Sequence, residues 1–114
     1  MSDSFSERDW FWTASGKTVG YRENDALFSS CGTQIGEFND DEVYGVSGSY
    51  LGEISSNGRL VTRIKKLNWS RAVFTPLNGT SLEPAADLVP QELTAGCRNF
   101  KVPNLSKKHK GPGD

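Results

Sequence analysis

Apolar and small residues recur along the first two thirds of this chain with a step of 16. Trp12, Phe28, Tyr44 and Leu60 share one column near the start of each unit. Val19, Ile35, Leu51 and Leu67 share a second, directly followed by Gly20, Gly36 and Gly52, with Asn68 in the fourth slot. Gly16, Gly32 and Gly48 share a third, preceded by Ser15, Cys31 and Ser47; Arg63 and Ile64 break that pair in the last unit. A fixed period of this kind is the mark of a repeat architecture. The units are 11–26, 27–42, 43–58 and 59–74, and Pro76 stands where a fifth aromatic would fall.

Within a unit there is no 3.6-residue period. Two β-rich runs flank a small residue and a glycine, most clearly where residues 43–46 and 49–54 flank Ser47-Gly48. Glycine reaches positive φ at little cost, so this arrangement predicts a hairpin. Turn-forming residues separate the units: Glu23-Asn24-Asp25, Asn39-Asp40-Asp41 and Ser55-Ser56-Asn57-Gly58. The pattern predicts an all-β meander of about eight strands, each near the usual five residues or so. A lone hairpin buries too little to persist in water, but four can share a core. The expected architecture is four tandem 16-residue β-hairpins around a pseudo-four-fold axis, followed by an irregular C-terminal extension. Trp12, Phe28, Tyr44 and Leu60 would form one ring of packed side chains, and Val19, Ile35, Leu51 and Leu67 another. Glycine at 20, 36 and 52 then reflects either close backbone approach or positive φ.

These columns of aromatic, glycine and aliphatic-glycine, then an acidic or aromatic residue, resemble those of the four-fold β-flower proteins, a family of small, mainly bacterial repeat proteins. The resemblance covers residues 11–74 and implies the fold without implying an activity. The fourth unit departs from it by lacking glycine at 64 and 68.

The 114 residues suit one domain, laid out as an N-terminal arm (1–10), the repeat domain (11–74) and an extension (75–114). Pro76, Pro84, Pro90 and Pro103 punctuate the extension. Pro84-Ala85-Ala86-Asp87-Leu88 suggests a short helix opened by proline, and the stretch from Asn104, with Lys107, Lys108, His109 and Lys110, reads as disordered. No apolar run approaches the roughly 20 residues that cross a bilayer, and the polar, acidic start is unlike a secretory signal. The expectation is a cytoplasmic protein with no membrane contact. Cys31 and Cys97 lie far apart and His109 is the one histidine. That set lacks the spacing of a metal site, and no cofactor motif is present.

Charge is unevenly distributed along the chain. Residues 1–57 hold 3 basic and 10 acidic side chains, a net of −7, and residues 58–114 hold 10 basic and 4 acidic, a net of +6. Such asymmetry suits a basic binding surface or self-complementary faces. In unit four, Arg59, Arg63, Lys65, Lys66 and Arg71 crowd around Trp69. A basic strand with an interleaved aromatic can grip phosphates and stack a base, and strand alternation would put Arg59, Arg63 and Lys65 on one face. The rival reading is a charged edge that blocks strand aggregation. Glu37 and Glu53 occupy equivalent slots, and paired carboxylates can serve acid–base chemistry in a small hydrolase; solvated repeat glutamates explain them as well. Trp10, just ahead of the repeat, is a candidate interaction residue. Taken together, the sequence favours a non-catalytic interaction or structural module, partnered by another protein or by itself. Anion or nucleic-acid binding through unit four, then hydrolysis, are the alternatives.

Overall fold

The computed structural model describes residues 9–103, so the start of the arm and the stretch from Asn104, expected to be disordered, lie outside the described residues. Eight strands follow in order: β1 (Asp9–Thr13), β2 (Thr18–Glu23), β3 (Ala26–Phe28), β4 (Gln34–Asn39), β5 (Glu42–Gly45), β6 (Tyr50–Ile54), β7 (Arg59–Arg63) and β8 (Cys97–Asn99). Each pairs antiparallel with the next. The first and seventh then pair in parallel, Trp12 with Arg59 and Thr13 with Leu60, closing seven strands into a barrel. No α-helix occurs among the described residues, and none of their helices is long and apolar enough to cross a membrane.

The first three hairpins share one register. Phe11 faces Gly20, Leu27 faces Gly36 and Val43 faces Gly52; a bulge follows each pair. Beyond it Trp12 faces Thr18, Phe28 faces Gln34 and Tyr44 faces Tyr50. A bulge interrupts the two-residue alternation of a strand. Val19 therefore joins the interior cluster with Phe11, Leu27, Ile35, Phe38, Val43, Leu60 and Phe100. Tyr21, two residues on, joins a separate cluster with Ala26 and Phe28 on the other face of the sheet. Of the two explanations for the glycine column at 20, 36 and 52, close approach is the operative one. A Cβ at Gly36 would stand 2.7 Å from the Tyr44 carbonyl oxygen, and one at Gly52 would stand 2.5 Å from that of Val61. Gly20 abuts the Phe28 carbonyl in the same way.

The expected ring of Trp12, Phe28, Tyr44 and Leu60 does not form. Asn24, Asp40 and Asn57 hold φ near +58° in the turns between units, and the last comes one residue later than a strict 16-residue step. That extra residue moves the fourth unit along by one. Leu60 accordingly packs with Phe11, Leu27 and Val43 inside the barrel, while Phe28 belongs to the outer cluster. Leu67, placed in the second ring, is exposed.

Nor does unit four return as a second strand within 59–74. After Arg63 the chain makes a 3-10 turn, Ile64–Lys66, and leaves the sheet. The strand that pairs with the end of β7 is β8, through Val61–Asn99, Thr62–Arg98 and Arg63–Cys97. The residues between form a strap that retraces the three hairpin turns in reverse order. Arg71 N–H donates to the Gly48 carbonyl, Gly79 N–H to that of Gly32 and Leu88 N–H to that of Gly16, each at 2.8 Å. The strap carries Leu82 onto the Tyr21–Phe28 cluster. The helix expected at 84–88 is absent because barrel side chains use that backbone. Thr18 Oγ1 donates to the Ala85 carbonyl at 2.6 Å, Trp12 Nε1 donates to the Ala86 carbonyl at 2.9 Å, and Asp87 accepts from Thr18.

Candidate functional site

The basic residues of unit four do not share a face. Arg59 is buried at the parallel seam, where its Nη1 donates to the Ala14 carbonyl at 3.1 Å and its Nε has no partner among the described residues. Arg63 ends β7 half-buried, and Lys65 is exposed in the 3-10 turn. The strand stops at Arg63, so alternation cannot align the three. Trp69 and Arg71 are exposed at the start of the strap.

What the fold brings together is a polar cluster beside the third hairpin. Glu42 and Glu53 are directly opposed on β5 and β6. The Lys66 ammonium bridges them, 2.7 Å from Glu42 Oε2 and 2.8 Å from Glu53 Oε1. Arg63 Nε donates to Glu53 Oε2 at 2.6 Å, and the Tyr50 hydroxyl to Glu53 Oε1 at 2.9 Å. The Tyr44 hydroxyl donates to Glu42 Oε1 at 2.8 Å. Lys66 Nζ also lies 4.7 Å from the Trp69 ring centroid. Burial pushes the Glu53 carboxyl up, but its hydrogen bonds from Lys66, Arg63 and Tyr50 outweigh this and hold it below the usual range. Glu42 first, then Glu53, keeps Lys66 charged well above the usual range. Burial and the Glu53 contact push the Tyr50 hydroxyl up to about 12. Each carboxylate is thus already matched to a cation, which leaves no uncommitted base for proton abstraction.

Glu37, the sequence equivalent of Glu53, is exposed and opposes Ala26 rather than a second carboxylate. The carboxylate pair is Glu42 with Glu53. Glu42 escaped sequence reading because its own repeat column holds Ala26. Trp10 is half-buried, with its ring 5.5 Å from that of Tyr21. Cys31 is exposed on the second hairpin turn. Hydrogen bonding with the Ser29 and Thr33 hydroxyls lowers its thiol pKa. A cavity of about 660 Å³ opens beside the second hairpin, between the ends of β2–β4 and strap residues 74–80. A smaller one, about 260 Å³, contains Lys66. Among the described residues no group of three or more His, Cys, Asp or Glu is placed to hold a metal ion.

Compared with known proteins, the chain matches no family model, no curated protein and no solved structure.

Proposed function

We propose that this protein is a non-catalytic interaction module whose working surface is the strap. One observation carries the reading. Among the described residues, all nine exposed large apolar side chains lie between Ile64 and Val102, with Val73 at 70% and Val89 at 75% exposure. The strands from Asp9 to Ile54 contribute none. Apolar side chains left exposed along one segment and absent from the strands before it suit an interaction surface. The opposite net charges of the two halves of the sequence favour a second copy of the chain as the partner. Two free thiols suit a reducing, cytoplasmic setting.

The same reading takes the barrel as four copies of one hairpin, in the manner of the β-flower family, with the fourth copy split. β7 and β8 would be its two strands and residues 64–96 an insertion at its turn. The Ile64 N–H bonded to the Gly96 carbonyl at 2.9 Å supports this. So does the positive φ of Gly96, as at Gly16, Gly32 and Gly48.

Sedimentation velocity over a range of concentrations tests the module. The native chain should associate reversibly, and Val73→Asp combined with Val89→Asp should abolish the association with the melting temperature unchanged. A native chain that stays monomeric at high concentration, or a variant that associates equally well, would overturn the reading. Salt-dependent binding of a single-stranded oligonucleotide would instead favour the anion-binding alternative through Lys65, Trp69 and Arg71.

A further inference from the structure

The two cavities noted above are equivalent in the repeat. Asn39, Asp40, Asp41, Glu42 and Glu53 line the smaller one. The residues 16 positions earlier, Glu23, Asn24, Asp25, Ala26 and Glu37, line the larger. Register agrees: Glu42 opposes Glu53 as Ala26 opposes Glu37. In the smaller cavity the Lys66 ammonium sits between two carboxylates with its charge over an aromatic ring. In the larger one no side chain of the described residues takes that place.

The two negative charges that hold Lys66 nonetheless have counterparts here, on exposed side chains. Ala26 replaces one carboxylate, but Glu23, directly opposite Ala26 on β2, restores it where unit three has Asn39. Glu23 and Glu37 therefore flank Ala26 from the two neighbouring strands. Neither has an ionic partner among the described residues, whereas Asp25 is paired with Arg22 at 3.1 Å. Phe28 and Phe74 supply aromatic walls, as Tyr50 and Trp69 do around Lys66. The small Ala26 side chain and the volume of about 660 Å³ leave room for a ligand.

We propose that this cavity binds an alkylammonium group, with Glu23 and Glu37 matching the charge and Phe28 and Phe74 packing its methylene chain. Cation–π attraction favours such a group over a hydrated metal ion. The group could be carried by a small free amine or by a lysine side chain of another protein. The cavity shares Leu77 with the strap's exposed apolar side chains, but its carboxylates, Glu23 and Glu37, lie on the barrel, so either reading can fail alone.

Titration of isotope-labelled protein with n-butylammonium chloride, against sodium chloride at equal ionic strength, tests the site by NMR. Saturable shifts are expected in residues 23–26, 37 and 74–80, with affinity lowered about threefold to fivefold in Glu37→Gln. Shifts that do not saturate, or that are unaltered in both Glu37→Gln and Glu23→Gln, overturn the proposal. A parallel titration with Nα-acetyl-lysine methylamide separates the sources: comparable affinity assigns a protein lysine, and binding of butylammonium alone assigns a small amine. Lys66→Ala supplies an internal check, because butylammonium should then restore melting temperature in the vacated cavity. Absence of that rescue overturns the equivalence on which the site rests.

Discussion

Tyr21 and Thr80 exchange two hydrogen bonds: the Tyr21 hydroxyl donates to the Thr80 carbonyl at 2.6 Å and accepts from the Thr80 N–H at 2.9 Å. Tyr21 is fully buried, with its ring stacked on Phe28 at 5.5 Å. One side chain therefore ties the strap to the barrel wall. Tyr21→Phe keeps the packing and deletes both bonds, at a net cost of roughly 1–3 kcal/mol. Proteolysis should then cut near residue 80 while the barrel amides remain protected from hydrogen exchange. Unchanged cleavage would show that the strap is held elsewhere.

Glycine substitutions separate the two kinds of glycine in the barrel. Gly36→Ala places Cβ 2.7 Å from a backbone carbonyl oxygen, which cannot move without breaking register. Gly45→Ala meets only the Leu51 side chain, 3.4 Å away. The first should cost roughly 1–3 kcal/mol and the second less than about 0.5 kcal/mol. Thermal melts of the two variants side by side check this, and equal melting temperatures would contradict the shared register.

Stability should decline at both pH extremes for identifiable reasons. Glu53 has a folded pKa below its ordinary value of 4.5. Its contribution is complete above that value and is lost as pH falls through the folded one. Tyr50 runs the other way. Its folded pKa is raised from 10.0 to about 12, so its contribution is complete below pH 10.0 and is lost as pH rises towards 12. Lys66 acts in the same direction from 10.5 upward. Denaturant titrations across pH should show the acid limb flattened in Glu53→Gln and the alkaline limb flattened in Tyr50→Phe.

Removing the Lys66 charge leaves Glu42 and Glu53 directly opposed, with Arg63 the one remaining cation bonded to the pair among the described residues. Like charges opposite one another destabilise a sheet, and lost charged hydrogen bonds add to that. Lys66→Met should cost roughly 1–3 kcal/mol at neutral pH. The added substitution Glu42→Gln should recover part of it. A double variant no more stable than Lys66→Met would show that the pair is not coupled.

Hairpins, turns and the 16-residue period were legible in the sequence because each depends on local signals: glycine before a β-rich run, Asn or Asp between units, alternation within strands. The misplaced ring and the missing strand were not. One additional residue in the turn around Asn57 shifts Leu60 into register with Phe11, and a bulge moves Val19 to the face opposite Tyr21. Neither leaves a compositional trace. The partner strand Cys97–Asn99 lies beyond the strap, where pairing is decided by tertiary closure. The basic residues of unit four were visible as a cluster. The commitment of Arg63 and Lys66 to Glu42 and Glu53 was not, because Glu42 breaks the pattern of its own column.

Besides its side-chain ties, the strap meets a hairpin-turn glycine carbonyl at three separated points, and these should respond separately. Gly16, Gly32 and Gly48 have φ of 99°, 90° and 91°, and each carbonyl accepts one strap N–H. A Cβ at Gly32 would stand 2.6 Å from the Gly79 carbonyl oxygen. Gly32→Val therefore combines strain at positive φ, of order 1–3 kcal/mol, with a clash against the strap. Because Leu88 and Arg71 keep their own partners, only the middle of the strap should detach. Hydrogen exchange should speed up at Gly79 and Leu82 and stay slow at Arg71 and Leu88. Gly16→Val should give the reverse order, releasing Leu88 first. If any one substitution freed all three points together, the strap would be a single cooperative element and not a series of local clamps.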